Sequence, residues 1–183
     1  GIPSLENAIL TTGCGHFKEQ NPNILFIGAS DINRKILHYF KSKNCLNLTI
    51  CNRSLSAAKQ IATRYQTNIL PWDEISRWNM YDWIILGTKA PNYLITTDSL
   101  NKNNKEPKLI MDFSVPRNVD PTVGEQEGIT LMNNDEMNYL VNHRMQKMTH
   151  TLVKTEELII EETKQQLVTF KQKEYYTQNL ITA

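Results

Sequence analysis

The sequence has few of the features that mark membrane, secreted or nucleic-acid-binding proteins. It has no apolar run of about 18 residues or more, the length that a membrane-spanning helix needs. Its start lacks the basic-then-apolar pattern of a signal peptide. The formal net charge is +1, which argues against a dominant basic face for nucleic acid but is compatible with a local contact. We therefore expect a globular protein with no membrane partner.

Cysteine is also scarce. The three cysteines, Cys14, Cys45 and Cys51, have no regular spacing. An odd count of this kind indicates free thiols in a reducing compartment, so we expect a cytoplasmic protein. Cys14 lies near His16 in the sequence, but a metal site needs more ligands than these two, and we predict none. The sequence does not begin with Met, so we expect either a fragment of a longer protein or a processed terminus.

Short apolar runs alternate with helical patterns up to about residue 134. Because the runs are apolar throughout, they predict strands that are buried on both faces of a sheet. The fold class that follows is α/β, a Rossmann-like, doubly wound and mostly parallel sheet followed by a long C-terminal α-helix. The predicted strands are Ile24–Ile27, Leu46–Cys51, Asn68–Leu70, Tyr81–Gly87, Lys108–Val115 and Ile129–Met132.

The chain is predicted to divide into three parts. Residues 1–22 form a lead-in helix and linker, 23–134 form the Rossmann-like domain, and 135–183 form a long helix towards a dimerisation or interdomain contact.

Cap and turn residues set the smaller elements. Ser4 and Ser54 are placed to cap the first and third helices, and Asp73 is placed to cap a helical turn after the third strand. Glycine, proline and polar residues predict a loop at Thr11–Asn23 and a polar connection at Asn101–Pro107.

The end of the chain has the pattern of one long helix. From Asp135 onward there is no Gly or Pro, and apolar residues recur at three- and four-residue steps. About forty residues would span about 60 Å, whereas a domain of about 130 residues has a radius of gyration near ~14 Å. The far half must therefore meet another domain, another subunit or solvent; a helical hairpin broken near Thr163 is the alternative. His143 and His150 share a face of this helix and are interpreted as surface residues.

The turn after the first strand stands where dinucleotide-binding folds carry G-x-G-x-x-G. That fingerprint uses one glycine for a tight turn, one for close approach to the diphosphate and one for helix–strand packing. Only the first is kept here: Ser30 is small and can donate its hydroxyl, Asp31 brings a negative charge, and Asn33 is bulkier. A dinucleotide site and a degenerate turn that keeps only the fold are both open. The candidate cofactor-binding residues are Gly28, Ala29, Ser30, Asp31, Ile32 and Asn33.

The second strand ends in three polar residues, Asn52, Arg53 and Ser54. An NAD site has a carboxylate near this point for the ribose hydroxyls, whereas an arginine suits a 2′-phosphate. The three residues are therefore candidate cofactor-binding residues and favour NADPH; an exposed arginine without a ligand is the alternative. Cys51 is not assigned as a nucleophile, because no general base lies near it in the sequence.

Four segments together resemble glutamyl-tRNA reductase over about residues 23–163. The family's turn G-A-G-E-M-G corresponds to G-A-S-D-I-N from Gly28, and its N-R-T corresponds to Asn52–Ser54. Its S-T-G-A-P corresponds to G-T-K-A-P at Gly87–Pro91. The most specific segment is D-I-A-V-P-R-D-I-D-P, which corresponds to D-F-S-V-P-R-N-V-D-P at Asp112–Pro121.

The resemblance implies the NADPH-binding domain of an oxidoreductase of tetrapyrrole, and hence heme, biosynthesis, and it adds Gly87 and Thr88 to the cofactor site. In that family a separate catalytic domain receives glutamyl-tRNA and carries the nucleophilic cysteine. NADPH supplies the hydride that reduces the enzyme-bound glutamyl thioester to glutamate-1-semialdehyde. The implied partners are glutamyl-tRNA, a second copy in a homodimer, and the aminomutase that takes the semialdehyde. The family's T-C-N-R run belongs to the catalytic domain, so Cys51 is not its counterpart and no catalytic residue is assigned.

Two other functions stay open. One is a shikimate-dehydrogenase-like NADP reductase, which shares a glycine-rich turn and an N-R-T run but is disfavoured by the V-P-R segment and the long helix. The other is a nucleotide-type fold that has lost its cofactor and docks a partner through the helix. The loss of two glycines from the fingerprint favours the docking function.

Overall fold

The computed structural model describes residues 4–18, 20–100 and 106–181. The polar connection expected at Asn101–Pro107 lies mostly outside these ranges. The chain divides into two compact units, Gly1–Val141 and Asn142–Ala183. The first unit contains the sheet and the candidate site.

A six-stranded parallel sheet forms the centre of the first unit. Its order is β3-β2-β1-β4-β5-β6, and every neighbouring pair is parallel. This order is that of the doubly wound Rossmann fold, so the predicted fold class is confirmed. Each predicted strand is present, although β2, β4 and β5 are shorter than the apolar runs. The strands are β1 (Ile24–Ile27), β2 (Leu48–Cys51), β3 (Asn68–Leu70), β4 (Trp83–Leu86), β5 (Lys108–Asp112) and β6 (Ile129–Asn133).

Three helices accompany the sheet, and a fourth begins directly after it. They are α1 (Leu5–Phe17), α2 (Asp31–Ser42), α3 (Leu55–Tyr65) and α4 (Asn134–Ile181). Ser4, Ser30 and Ser54 cap the first three, each accepting a hydrogen bond from the backbone N–H three residues on. The caps predicted at Ser4 and Ser54 are thus confirmed. The cap predicted at Asp73 is wrong, because a 3₁₀ helix already begins at Trp72.

The loop expected at Thr11–Asn23 is wrong for its first half, because α1 continues to Phe17. Gly13 does not mark a turn. A Cβ placed on it would lie 2.1 Å from the ring of Trp83. Glycine is needed there because the helix packs directly against this buried aromatic side chain, a tertiary contact that overrides the usual preference of glycine for loops.

The sheet is covered by apolar side chains on both faces. Along β1, Phe26 belongs to one core cluster with Phe40 and Trp83, while Leu25 belongs to a second cluster with Trp78. Successive strand residues point to opposite faces, so two cores need strands that are apolar throughout. This explains why the apolar runs predicted the strands.

The second unit consists of the greater part of α4. This 48-residue helix is continuous past Thr163, whose hydroxyl donates to the carbonyl of Ile159, so the hairpin alternative is wrong. Among the described residues, no helix combines the length and apolar character needed to cross a membrane.

Candidate functional site

A cleft of about 310 Å³ lies at the carboxyl ends of β1, β2 and β4. The strand order reverses here, because the chain moves from β1 to β2 and β3 on one side and to β4 on the other. Ligands of open α/β sheets bind at this kind of position. The cleft is lined by Gly28, Ala29, Ser30, Asn52, Arg53, Trp72, Gly87, Thr88, Lys89 and Ala90.

The turn after β1 requires glycine at its first position. Gly28 has a φ of +97°, and a Cβ on it would lie 2.3 Å from the carbonyl oxygen of Gly87. Its N–H donates to the carbonyl of Cys51 at 2.8 Å. The turn is therefore held close to the ends of β2 and β4.

Asn33 lies beneath this turn and holds it. The side chain is 2% exposed, and its amide nitrogen donates to the carbonyls of Ile27 at 2.8 Å and Gly28 at 2.9 Å. The Nε atom of Arg34 donates to the next carbonyl, that of Ala29, at 3.0 Å. The residue at the third fingerprint position is thus a structural part of the turn.

Gly87 provides the space that Asn33 needs. A Cβ on Gly87 would lie 2.6 Å from both the Asn33 Oδ1 atom and the Ser30 hydroxyl oxygen. The close helix–strand packing that the fingerprint obtains from its third glycine is obtained here from a glycine at the end of β4.

At the end of β2, Arg53 lines the cleft and is exposed. Among the described residues it makes no ion pair, so its guanidinium is available to an anion. Asn52 donates to the carbonyl of Ser54, and the Ser54 hydroxyl caps α3.

Cys51 lies in the interior next to these polar residues. Burial raises the pKa of its thiol to about 12, with a further contribution from Asp73. A thiol of this kind is protonated at neutral pH and is a poor nucleophile. This agrees with leaving it without a catalytic role.

The loop after β4 is held by the buried side chain of Asn118. Its side chain donates to the carbonyls of Ala90 at 2.8 Å and Asn92 at 2.9 Å, and its oxygen accepts from the Thr88 hydroxyl. The Thr88 N–H donates to the Ser114 hydroxyl at 3.1 Å. Lys89 therefore lies between Thr88 and Ala90, whose positions are fixed by these hydrogen bonds.

The V-P-R segment is in turn built around a buried carboxylate. Asp112, at the end of β5, accepts backbone hydrogen bonds from Ser114 at 2.9 Å, Asn118 at 2.7 Å and Val119 at 3.0 Å. The most distinctive segment of the sequence thus shapes the loop that positions the wall of the cleft.

The structure brings together seven of the eleven predicted site residues: Gly28, Ala29, Ser30, Asn52, Arg53, Gly87 and Thr88. The other four are not among the residues that line the cleft. Asp31 is exposed in the first turn of α2, Ile32 packs on the core, Asn33 lies under the turn, and Ser54 caps α3.

Three residues of the cleft escaped the sequence analysis: Trp72, Lys89 and Ala90. Each follows the end of a strand. Since the carboxyl ends of parallel strands share one edge, taking the residues after every predicted strand would have found them.

Comparison with known proteins identifies the family of this domain. The sequence model described as Shikimate / quinate 5-dehydrogenase matches residues 13–140. The chain belongs to this family.

Curated relatives of the chain include glutamyl-tRNA reductases. That of Natranaerobius thermophilus is 27% identical over 157 residues, which are 83% of this chain and 34% of the relative. That of Chlorobium phaeobacteroides is 30% identical over 145 residues, 76% of this chain and 34% of the relative. The resemblance inferred from the motifs is confirmed, and the chain spans about a third of the length of these relatives.

Solved structures share the fold. Glutamyl-tRNA reductase from Methanopyrus kandleri aligns with a TM-score of 0.78 at 20% identity, over 88% of this chain and 42% of that chain. The nucleotide-binding domain of the Thermoplasma volcanium enzyme aligns with a TM-score of 0.63 at 16% identity, over 81% and 99%. Shikimate 5-dehydrogenase from Thermus thermophilus, in complex with NADP(H) and shikimate, aligns with a TM-score of 0.55 at 12% identity, over 80% and 54%.

Proposed function

We propose that this chain is the NADPH-binding part of a glutamyl-tRNA reductase. The observation that carries the proposal is the cleft at the reversal of strand order, where Arg53 at the end of β2 makes no ion pair with any residue that the structure describes. An arginine at this place suits the 2′-phosphate that distinguishes NADPH from NADH. The curated relatives supply the enzyme class.

The residues of the cleft fit such a cofactor. Gly28 and Gly87 allow the turn after β1 to approach β4 closely, and the backbone N–H groups of Ala29 and Ser30 stand at the start of α2, where a diphosphate is favoured. Arg53 would hold the 2′-phosphate. The bound nicotinamide would supply a hydride. The described residues contribute binding and orientation, and the nucleophile would belong to a catalytic domain outside this sequence.

In the whole protein, we propose, tRNA-bound glutamate is reduced by way of an enzyme thioester to glutamate-1-semialdehyde, the tetrapyrrole precursor that an aminomutase then takes. We also propose a homodimer that uses α4. Five of its exposed apolar residues, Met145, Met148, Leu152, Ile159 and Phe170, are spaced by 3, 4, 7 and 11 positions, which keeps these five on one face.

The second candidate function is a docking module without a cofactor. The exposed apolar face of α4 and the retention of only Gly28 from the fingerprint favour it. The two functions differ in whether the cleft binds a dinucleotide.

Titration of the chain with NADPH and NADH by calorimetry tests the proposal. We expect NADPH to bind more tightly, and Arg53→Ala to weaken NADPH about 10- to 100-fold while leaving NADH unchanged, as for loss of a charge-assisted contact. Lys59→Ala, which removes one positive charge from the exposed side of α3, should change neither affinity. If neither dinucleotide bound, the docking module would become the better conclusion.

A further inference from the structure

The turn after β1 has lost two fingerprint glycines but has gained two side-chain contacts. We infer that Asn33 and Arg34 are positioning residues that direct the N–H groups of Ala29 and Ser30 at the diphosphate of the dinucleotide. The inference rests on the proposed cofactor function and assigns the part of the ligand that these residues serve.

Three consecutive carbonyls of the turn point towards α2. Those of Ile27 and Gly28 accept from the Asn33 amide nitrogen, and that of Ala29 accepts from the Nε atom of Arg34. Both donors lie on the first turn of α2, and Asn33 is almost completely buried. The peptide units that carry the Gly28 and Ala29 carbonyls are therefore held by side chains, whereas the Ile27 carbonyl also accepts from the backbone N–H of Gly87 at 3.0 Å.

The orientation of the carbonyls determines that of the amides. In a planar trans peptide, the C=O of one residue and the N–H of the next point in opposite directions. The peptide unit between Gly28 and Ala29 has its C=O held by Asn33, so the N–H of Ala29 points away from α2. The peptide unit between Ala29 and Ser30 has its C=O held by Arg34, so the N–H of Ser30 also points away from α2.

The preceding peptide unit agrees with this geometry. There the Ile27 carbonyl accepts from Asn33, and the Gly28 N–H on the opposite side donates to Cys51. Within the described part of the chain the Ala29 and Ser30 N–H groups have no acceptor, and both residues line the cleft. Two adjacent donors are thus available to an anion.

Arg34 also offsets a charge that would oppose the anion. Asp31 stands in the first turn of α2, three residues before Arg34, and residues at this spacing are neighbours on a helix. A guanidinium tied to the Ala29 carbonyl places a positive charge beside the turn. The replacement of the second and third glycines is therefore compatible with diphosphate binding.

The test compares two ligands on two variants. Adenosine 2′-monophosphate has the 2′-phosphate but no diphosphate, so it reports on the Arg53 side alone. Arg34→Met should weaken NADPH about tenfold and leave adenosine 2′-monophosphate unchanged. Lys35→Met, which removes the same charge from the next, exposed residue, should alter neither affinity.

The outcomes separate this inference from the proposed function. If the unsubstituted chain bound neither ligand, the proposed function would fail, and the inference with it. If it bound NADPH and Arg34→Met behaved like Lys35→Met, or weakened both ligands equally, the positioning role would be overturned while the proposed function stood.

A measurement on the unsubstituted chain avoids any effect on folding. Inorganic pyrophosphate should shift the amide resonances of Ala29 and Ser30 in ¹H–¹⁵N spectra more than those of Asn52 and Arg53. Binding of NADPH without a shift at Ala29 and Ser30 would also overturn the inference.

Discussion

At the scale of single residues, Asn33 fits beneath the turn after β1 because of the space that Gly87 leaves. Asn33 would be an obstacle in a glycine turn if a larger residue followed β4, but Gly87 leaves room for it. Its amide then donates to the Gly28 carbonyl and adds a second hydrogen bond to the Ile27 carbonyl, which also accepts from the Gly87 N–H. The glycine that allows close packing is therefore at position 87, and the side chain that holds the turn is at position 33.

The same reasoning applies to the cysteines. Cys51 is buried with a pKa raised to about 12, whereas Cys14 is exposed. We expect a thiol-specific reagent at pH 8 to modify Cys14 in the native protein, and to modify Cys51 only after unfolding, because the thiolate is the reacting species. Mass spectrometry of the modified peptides measures this. Equal labelling of Cys14 and Cys51 in the native protein would contradict the assignment of Cys51 to the core.

At the scale of elements, α1 shows how a helix can depend on glycine. Both Gly13 and Gly15 lie inside it, but only Gly13 faces the core, where it touches the Trp83 ring. A Cβ on Gly15 would meet nothing within 4 Å. The two positions therefore form a matched pair in one helix.

We expect Gly13→Ala to lower the free energy of unfolding by about 1–3 kcal/mol, because the methyl group overpacks the core. Gly15→Ala should raise it by about 0.5–1 kcal/mol, because alanine loses less backbone entropy in a helix. Urea unfolding followed by circular dichroism compares them. Equal effects of the two substitutions would show that α1 does not pack on Trp83 as described.

The loop around Asp112 is a second element whose form depends on a buried group. Its carboxylate gathers three backbone N–H groups, and Asn118 then fixes the loop after β4. The V-P-R segment thus acts on the cleft through Asn118 and Thr88. The motif that carries the resemblance to glutamyl-tRNA reductase therefore shapes the site indirectly.

At the scale of the whole molecule, the apolar face of α4 is the surface that the proposed homodimer would bury. Its members are between 39% and 60% exposed, and they recur over most of the described helix. Burial of such residues between two copies would be favoured by about 25 cal/mol for each Å² of apolar surface. The proposed homodimer accounts for this face.

We expect light scattering coupled to size-exclusion chromatography to give twice the chain mass of 21.2 kDa. Ile159→Lys should shift the protein towards the single-chain mass, because it places a charge in the apolar face. Gln146→Lys introduces the same charge at an exposed position about 140° around α4 from Ile159, at 3.6 residues per turn, and should leave the dimer intact. A single-chain mass for the unsubstituted protein would contradict dimerisation by this chain alone.

Much of this molecule follows from local patterns. Continuous apolar runs predict the six strands and the two-sided sheet, because burial on both faces allows no alternation with polar residues. The absence of Gly and Pro after Asp135 predicts the long helix. The position of Arg53 after β2 places it at the carboxyl end of the sheet, since all strands of a parallel sheet end on that side.

Only the tertiary structure decided which glycines form turns and which allow close packing. It also decided which residues replace the second and third glycines of the fingerprint. Gly13 meets Trp83 and Gly87 meets Asn33 across long separations in sequence, and Asn118 reaches back to Thr88 from the loop after β5. Burial of an apolar run is a property of the run itself. A close approach depends on two segments at once, so neither segment's sequence reveals it alone.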